Sequence, residues 1–404
     1  MPIFLTLFLF VVAAAAAAFA VVFLASRRPL SEEEARARLL AYFTKLTRRR
    51  RHPVSLQARI AAPGLDLAFG GGPPSATDAP VAPDQPFHVA SIGKLFTAAL
   101  VLRLAEQGRL GLDDPVAPYF PEAHLRGLFV VSGTDYAGSV TARHLLGHTS
   151  GIADYFEDAA DDGSSFFDRV LAEPDAFWTP DALLEYARRR LRAVAVPGAS
   201  FHYSDTGYIL LGQLVERVAG RPFHEALRRD VFEPLGMTAT YLLFHSEPTA
   251  APPRPMREIW LNGKEISRYR SLSCDWAGGG IVSTPDDLIR FHRGLRSGAL
   301  LGAEALREME TCERRFRPGL RYGLGAMEVR FEEFFPLLKG LPRLKGHIGV
   351  LATHLFCDPK TDTYIVLNFG SNRAMVQSFK TLIEIVATLR KMRVTTKPPR
   401  SSVG

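Results

Sequence analysis

The sequence is poor in cysteine, and it has no charge at its start. Three of its 404 residues are cysteines, Cys274, Cys312 and Cys357, and an odd, scattered set implies neither a disulfide framework nor a cysteine-based metal site. The chain also has no internal repeats and no basic stretch interleaved with aromatic residues. These absences exclude a repeat architecture and a nucleic-acid-binding surface.

The first 26 residues contain no charged side chain. The apolar stretch from Ile3 to Ala25 is long enough to cross a bilayer as a helix, so we predict a transmembrane anchor over residues 1–26. The alternative is a cleaved signal peptide, with AFA at 18–20 as its cleavage site. Against that alternative, the apolar run is long and no basic segment precedes it.

Positive charge is concentrated just after this apolar stretch. The chain has a net charge of +7, and the segment from Arg27 to His52 holds nine Lys or Arg residues against three Glu, so the remainder is nearly neutral. We interpret residues 27–54 as a basic juxtamembrane segment resting on anionic lipid headgroups. A solvated, charged helix explains the same pattern. All of this charge follows the apolar run, which by the positive-inside rule places the rest of the chain in the cytoplasm.

The remaining residues have ordinary globular composition and enough length for one large core or two subdomains. VSLQARIAAPGLDLAFGGG predicts two strands joined at Pro63, and a β-hairpin is predicted around the turn signal DPKTD near the other end of the chain. Helical patterns fill the middle, and a last helix is predicted from Ala374 to Met392. A sheet closed by the two chain halves, with an inserted helical subdomain, follows from this order.

The stretch FHVASIGKLFTAALVLRLAEQG, from Phe87 to Gly108, places Ser91 one turn before Lys94 at the start of an apolar helix. Residues three apart share a helix face, so the hydroxyl and the amine come within hydrogen-bond reach. Burial disfavours an ammonium ion and suits a lysine to accept a serine proton. The alternative is structural, with Ser91 as a helix cap and Lys94 extending to water.

Two further segments supply partners for this pair. FHYSDTGYILLG places Tyr203 and Asp205 in a loop that opens a helix, and KGHIGV places His347 at the start of a strand. In this order ASIGK, YSDTGYILLG and GHIG resemble the three active-site motifs of the serine β-lactamase and penicillin-binding protein superfamily. LLGHTSGI, PLGM and AGGGIVSTPDDLIRF are similar to the branch containing class C β-lactamases, D-stereospecific peptidases and related esterases.

The resemblance covers roughly residues 55 to 390 and implies a fold and a location. We expect an α/β (α+β) domain at 55–395, with the β-lactamase/transpeptidase-like fold: an antiparallel sheet flanked by helices, with an inserted helical subdomain. Residues 396–404 are a tail. Members of the family generally work outside the cytoplasm, so the resemblance favours an extracytoplasmic catalytic domain on the predicted anchor, against the charge rule.

The resemblance also implies a role for each matching residue. Ser91 is the acylated nucleophile, Lys94 its base or proton relay, and Tyr203 shares the base role and protonates the leaving group. Backbone N–H groups of Ser91 and Val350 form the oxyanion hole, and neither a metal nor an organic cofactor is required. The positions expected to bind substrate are Asp205, His347, Gly349 and Val350.

Two departures from the family motifs bear on the substrate. Ile348 replaces a hydroxyl side chain that helps to hold a substrate carboxylate, and Asp205 replaces an asparagine. We therefore expect a serine hydrolase acting on esters or amides of small acyl or peptide-like substrates. A D,D-peptidase or β-lactamase, and a non-catalytic ligand sensor or scaffold, are the alternatives. His144 and His148 have metal-ligand spacing, but without the glutamate of zinc proteases we expect no zinc site.

Overall fold

The computed structural model describes residues 29–49, 54–72, 80–252 and 254–392. The strands, in chain order, are β1 (Leu56–Ala62), β2 (Leu65–Gly71), β3 (Phe87–His88), β4 (Val130–Val131), β5 (Thr134–Asp135), β6 (Tyr241–Leu242), β7 (Trp260–Leu261), β8 (Lys264–Glu265), β9 (Ile281–Ser283), β10 (Arg314–Arg317), β11 (Leu320–Tyr322), β12 (Met327–Val329), β13 (Leu344–Gly349), β14 (Thr353–Asp358) and β15 (Thr363–Asn368).

The α-helices differ widely in length. In chain order they are α1 (Glu32–Thr47), α2 (Gly93–Glu106), α3 (Glu122–Leu125), α4 (Ala142–Leu146), α5 (Phe166–Ala172), α6 (Pro180–Arg190), α7 (Asp205–Ala219), α8 (Phe223–Leu227), α9 (Trp276–Gly279), α10 (Pro285–Ser297), α11 (Ala303–Met309), α12 (Phe331–Phe334) and α13 (Met375–Lys391).

Eight strands form the main sheet, in the order β10-β11-β12-β13-β14-β15-β1-β2, and every neighbouring pair is antiparallel. The β1–β2 hairpin turns at Pro63–Gly64, where Gly64 has a φ of 79° that glycine adopts without strain. β1 pairs with β15, so that Gln57 lies opposite Asn368. The predicted antiparallel sheet, built by both ends of the chain and flanked by helices, is confirmed.

Two apolar cores lie on the two faces of this sheet. On one face α1 and α13 pack on the strands through side chains such as Leu39, Phe43 and Phe379. On the other face α2 packs among the helices of the middle of the chain through side chains such as Leu95 and Phe96. The sheet is therefore the middle layer of three, and the motif residues lie on its α2 side.

Helix α1 falls in the segment interpreted as juxtamembrane, residues 27–54. Ser31 and Glu34 form a capping box at its start, and its buried face packs against β2 and α13. Arg38 pairs with Glu384 of α13 at 2.8 Å. The boundary predicted at residue 55 therefore does not separate this helix from the sheet.

The predicted transmembrane anchor, residues 1–26, and the predicted tail, residues 396–404, lie outside the described residues. Within the described part of the chain, no helix combines the length and the apolar character needed to cross a bilayer. We therefore correct the prediction of a single-pass membrane protein with an extracytoplasmic domain. The helix that follows the predicted anchor buries its apolar stripe against the sheet and α13 instead of against lipid.

Candidate active site

Ser91 lies in a short 3₁₀ turn, Ala90–Ile92, that leads directly into α2. Ala90 has a φ of 52°, a left-handed conformation that costs free energy for a residue with a side chain. The turn packs tightly on α9, because a Cβ added to Gly93 would lie 2.9 Å from Gly279 Cα. This packing fixes the position of Ser91, which remains half-buried at the protein surface.

Lys94 is surrounded by three oxygen acceptors. Its side chain is fully buried, and its Nζ donates to Ser91 Oγ at 3.2 Å, to the Gly278 carbonyl oxygen at 2.9 Å and to the Asp205 carboxylate at a shorter distance. A lysine ammonium has three N–H donors, so these acceptors satisfy the charged form completely. The arrangement suits an ammonium ion that orients Ser91.

Asp205 is the first residue of helix α7, and hydrogen bonds of Ser204 and of its own backbone fix its position. The Ser204 hydroxyl caps the helix and donates to the Ala153 carbonyl oxygen at 3.0 Å. The Asp205 N–H donates to Asp154 Oδ1 at 2.9 Å. Burial, and then the nearby Asp205 carboxylate, raise the pKa of Asp154 well above its usual range. The second motif thus places a carboxylate, fixed by its own backbone, beside Lys94.

Tyr203 lies beside both Lys94 and Ser91. Lys94 Nζ is 5.0 Å from the centre of the Tyr203 ring. Burial raises the pKa of Tyr203 well above 10, the Asp205 carboxylate raises it further, and a hydrogen bond with Ser91 offsets part of the rise. Tyr203 is therefore a neutral phenol in contact with the serine hydroxyl.

The third motif places His347 inside the protein. Its side chain is fully buried, with Nδ1 donating to the Ile348 carbonyl oxygen at 2.6 Å and Nε2 accepting from the Tyr322 hydroxyl at 3.3 Å. Burial, together with the charge of Lys94, lowers its pKa to about 3. His347, predicted to bind substrate, is thus a neutral residue whose two ring nitrogens both contact protein groups.

Gly349 ends β13 against the Ser91 turn. A Cβ at this position would lie 2.7 Å from the Val89 carbonyl oxygen and 2.8 Å from Ala90 Cβ, so the approach requires glycine. Val350 follows in a turn closed by the Ala352 N–H, which donates to the Gly349 carbonyl oxygen at 3.0 Å. The segments that carry the backbone N–H groups of Ser91 and Val350 are therefore neighbours. The Ser91 N–H lies at the start of a helix, where N–H groups have no acceptor within the helix.

Sequence reasoning missed several groups around Lys94. Besides Asp154, they include Asp275, whose pKa is raised to about 7 by burial and then by Asp205, and whose Oδ2 is 3.4 Å from His88 Nε2. Tyr322, the partner of His347, is also buried. Asp154 lies two residues after the motif-like segment LLGHTSGI, and Gly278 lies in the glycine run AGGG. These were the available signals, but neither indicates a contact with Lys94.

Metal-ligand spacing at His144 and His148 does not produce a metal site. The N–H of Thr141 donates to His144 Nδ1 at 3.3 Å, and the N–H of Ser204 donates to His148 Nδ1 at 3.0 Å. Across the ranges that the structure describes, no group of three His, Cys, Asp or Glu side chains is arranged to hold a metal ion. Both histidines instead support the backbone of nearby segments.

Comparison with known proteins identifies relatives with this fold. The family model described as Beta-lactamase matches residues 56–383. The chain is 27% identical to "Putative penicillin-binding protein PbpX" of Bacillus subtilis (strain 168), over 59% of this chain and 52% of that protein. It is 36% identical to "Esterase EstB" of Burkholderia gladioli, over 39% of this chain and 38% of that protein. The chain therefore spans about half, or less, of the length of these curated relatives.

A solved structure matches over a larger part of the chain. The D-stereospecific amidohydrolase from Streptomyces sp. is 28% identical, with a TM-score of 0.69 over 85% of this chain and 97% of that chain. The superfamily resemblance inferred from the motifs is confirmed by the family match, which also agrees with the predicted enzyme class, a serine hydrolase. The match includes all three motifs, and the chain belongs to the beta-lactamase family.

Proposed function

We propose that the protein is a serine hydrolase that forms an acyl-enzyme on Ser91 and cleaves esters or amides of small acyl or peptide-like groups. The observation that carries the proposal is the double contact of one half-buried hydroxyl. Ser91 Oγ accepts a hydrogen bond from Lys94 at 3.2 Å, and the neutral phenol of Tyr203 is close enough for the serine hydroxyl to affect its pKa. A nucleophile, a cation and a phenol thus meet at one point, which is the arrangement that nucleophilic catalysis needs.

In the acylation step Tyr203 moves the protons. Ser91 Oγ attacks the acyl carbonyl carbon and passes its proton to the Tyr203 hydroxyl oxygen, while Tyr203 gives its own proton to the leaving oxygen or nitrogen. The raised pKa of Tyr203 favours this relay over a free phenolate. Lys94 remains an ammonium, since its three donors are already engaged, and it stabilises negative charge developing on Ser91 Oγ.

The tetrahedral intermediate and the second step use the same groups. The backbone N–H groups of Ser91 and Val350 stabilise the oxyanion. A water molecule then attacks the acyl-enzyme, its proton passes to Tyr203, and Tyr203 returns a proton to Ser91 Oγ as the acid product leaves. In this mechanism Gly349 acts through its small size, because it admits the Val350 segment beside the Ser91 turn.

Asp205 and Ile348 favour esters over β-lactams and carboxylate-ended peptides. A carboxylate has no hydrogen to donate to the acylamino carbonyl of a penicillin or peptide, and it repels that oxygen. Ile348 has no hydroxyl for a substrate carboxylate. The similarity to an esterase agrees with this choice, whereas the similarity to a penicillin-binding protein favours the alternative, a D,D-peptidase or β-lactamase.

Active-site labelling tests these alternatives directly. Purified protein and a Ser91→Ala variant are treated in parallel with a fluorophosphonate and with a labelled penicillin. We expect Ser91-dependent labelling by the fluorophosphonate and little by the penicillin. Efficient labelling by both would favour the penicillin-recognising alternative. Labelling by neither, in a folded protein, would contradict the proposal and favour the non-catalytic sensor or scaffold.

A further inference from the structure

A large cavity lies at the end of the sheet opposite Ser91. It has a volume of about 770 Å³, within the range of about 300 to 1,000 Å³ typical of small-molecule sites. Its walls are the β1–β2 turn, the loop before β13, the β14–β15 turn and the end of α13. Leu344 lines it, whereas Gly349, five residues along β13, lies against the Ser91 turn, about 17 Å away at strand spacing. The cavity, which we name the basal groove, is thus separate from the candidate active site.

The floor of the basal groove is aliphatic. Among the described residues that line it, no side chain is aromatic. The larger aliphatic ones are Leu341, Leu344, Ile365, Val386, Leu389 and Met392. Planar ligands are usually held by aromatic stacking, so a floor without rings fits a flexible alkyl chain better than a nucleobase or another aromatic group.

The acidic groups at the rim already have partners. Glu328 pairs with Lys345, and Glu332 pairs with Arg343 at 3.1 Å. Asp358 accepts from the backbone N–H of Lys360 at 3.0 Å and from a threonine hydroxyl in the same turn. None of these carboxylates therefore needs a cationic ligand.

Three basic side chains at the same rim have no acidic partner among the described residues. Lys339, Lys360 and Arg390 all line the groove and are exposed, and none is within ion-pair distance of a carboxylate in the described ranges. The Arg390 guanidinium lies over Gly340, within 3.1 Å of where a Cβ would be. An apolar floor with an unpaired cationic rim is complementary to an anionic head on an alkyl chain.

We propose that the basal groove binds a fatty acid, with the alkyl chain on the aliphatic floor and the carboxylate at Lys339, Lys360 and Arg390. The site is distinct from the hydrolytic centre and does not depend on the proposed function. Because β13 joins the groove to the third motif, a ligand there contacts the strand that carries His347 and Gly349.

Calorimetric titration of the purified full chain with dodecanoate, below its micelle concentration, tests the proposal. Dodecanol is the neutral comparison with the same chain. Two groove variants are used, the double variant Lys339→Glu/Arg390→Glu and the floor variant Leu389→Gln. The matched control is Arg307→Glu, an exposed arginine on α11 that does not line the groove. Thermal unfolding confirms that each variant is folded.

We expect one saturable dodecanoate site, binding at least about tenfold weaker in each groove variant and unchanged in Arg307→Glu. The Lys339→Glu/Arg390→Glu change should leave the weaker binding of dodecanol unaltered. Absence of saturable binding to the wild type would overturn the proposal. Equal dodecanoate affinity in wild type and both groove variants would place the ligand elsewhere and also overturn it, as would equal affinity for dodecanoate and dodecanol.

Discussion

The two faces of the main sheet carry layers of different character. Behind the sheet, α1 and α13 are regular helices of 16 and 17 residues that bury an apolar stripe. In front, the candidate site is assembled from a 3₁₀ turn, a helix start and a strand end, with Lys94 and Asp154 almost completely buried. The rear layer stabilises the fold by apolar packing, whereas the front layer contains charged and polar groups whose burial costs free energy.

Backbone strain is also found at the candidate site. Ala90 at 52°, His148 at 54° and Trp276 at 23° are non-glycine residues with positive φ in segments of the front layer, and other such residues lie elsewhere, for example Asp362 at 49° in the β14–β15 turn. Each such conformation costs about 1 to 3 kcal/mol and persists only where the surroundings enforce it. The comparison indicates that the rear layer contributes to stability but not to reactivity, whereas some residues of the front layer contribute to both. Substitutions in the two layers should show this difference.

The largest expected effect is on turnover, at Ser91. Ser91→Ala removes the nucleophile and should lower kcat/KM for a short activated ester by at least about 1,000-fold. The melting temperature should change little, because a half-exposed hydroxyl contributes little to stability. A folded Ser91→Ala protein with wild-type turnover would show that the nucleophile is another residue.

A substitution of Lys94, in the front layer, should lower stability as well as activity. Lys94→Met leaves the Asp205 carboxylate without its partner, and we expect a loss of about 3 to 5 kcal/mol in the free energy of unfolding, measured by urea denaturation. The double variant Lys94→Met/Asp205→Asn removes both charges and should recover most of that loss while remaining inactive. A double variant as unstable as Lys94→Met would contradict this account of the pair.

A substitution in the rear layer should lower stability and leave activity nearly unchanged. Leu39→Ala in α1 leaves a cavity under a fully buried side chain and should lower the free energy of unfolding by about 2 to 5 kcal/mol. Turnover by the folded fraction should stay within about twofold of wild type, since α1 contributes no group to the site. A large fall in kcat, measured well below the melting temperature, would show that the two layers are coupled.

A smaller change is expected in substrate preference at Asp205. Asp205→Asn restores an amide donor, and we expect the ratio of kcat/KM values to move at least about tenfold towards penicillins and away from short esters, a change of roughly 1.4 kcal/mol. Both substrates are measured on both proteins. An unmoved ratio, or efficient penicillin hydrolysis by the wild type, would contradict the assigned role of Asp205.

The smallest expected effect concerns pH and Asp275. Its pKa is raised from 3.8 to about 7 in the folded protein, so the folded state holds a proton that the unfolded state has lost. Stability from this group is therefore present at low pH and is lost as the pH rises towards 7. Asp275→Asn removes this loss.

The free energy of unfolding of Asp275→Asn, relative to that of the wild type, should be about 1 kcal/mol more favourable at pH 8 than at pH 5. The gain is limited because the Asp275 side chain is 23% exposed and solvent screens its charge. Denaturation at both pH values measures the difference. A stability difference that is the same at pH 5 and pH 8 would contradict the raised pKa.

The parts of the fold and site that depend on residues close together in the sequence could be predicted from local patterns. The spacing of Ser91 and Lys94 is a helix property, and the two are in contact. The strand patterns at both ends of the chain, with helical patterns between them, predicted a sheet shared by the two ends. The segment containing Asp205 was predicted to supply partners for Ser91 and Lys94, and Asp205 is in direct contact with Lys94.

Other features depend on contacts that no local pattern records. The Gly278 carbonyl oxygen contacts Lys94 from 184 positions away along the chain. The inward orientation of His347 depends on Tyr322, in another strand of the sheet. Residues 27–54 were interpreted as lying on lipid headgroups because of their positive charge, with a solvated helix as the alternative. The apolar stripe of α1 within them has the same sequence pattern on a membrane and on a sheet, so the sequence did not predict its packing.

The contact between the Ser91 turn and the β13–β14 segment determines when during synthesis the site can exist. The Thr353 hydroxyl donates to the Val89 carbonyl oxygen at 2.9 Å, across 264 positions of sequence. Strand β1 pairs early with β2, but it gains its second partner only when β15 has been made. A nascent chain on the ribosome therefore carries Ser91, Lys94 and Tyr203 before the strands that hold the Ser91 turn and the segment that supplies the Val350 N–H have been made. Reactivity begins only once the last strands emerge, so an interrupted or prematurely terminated chain has an intact serine motif and no hydrolytic site.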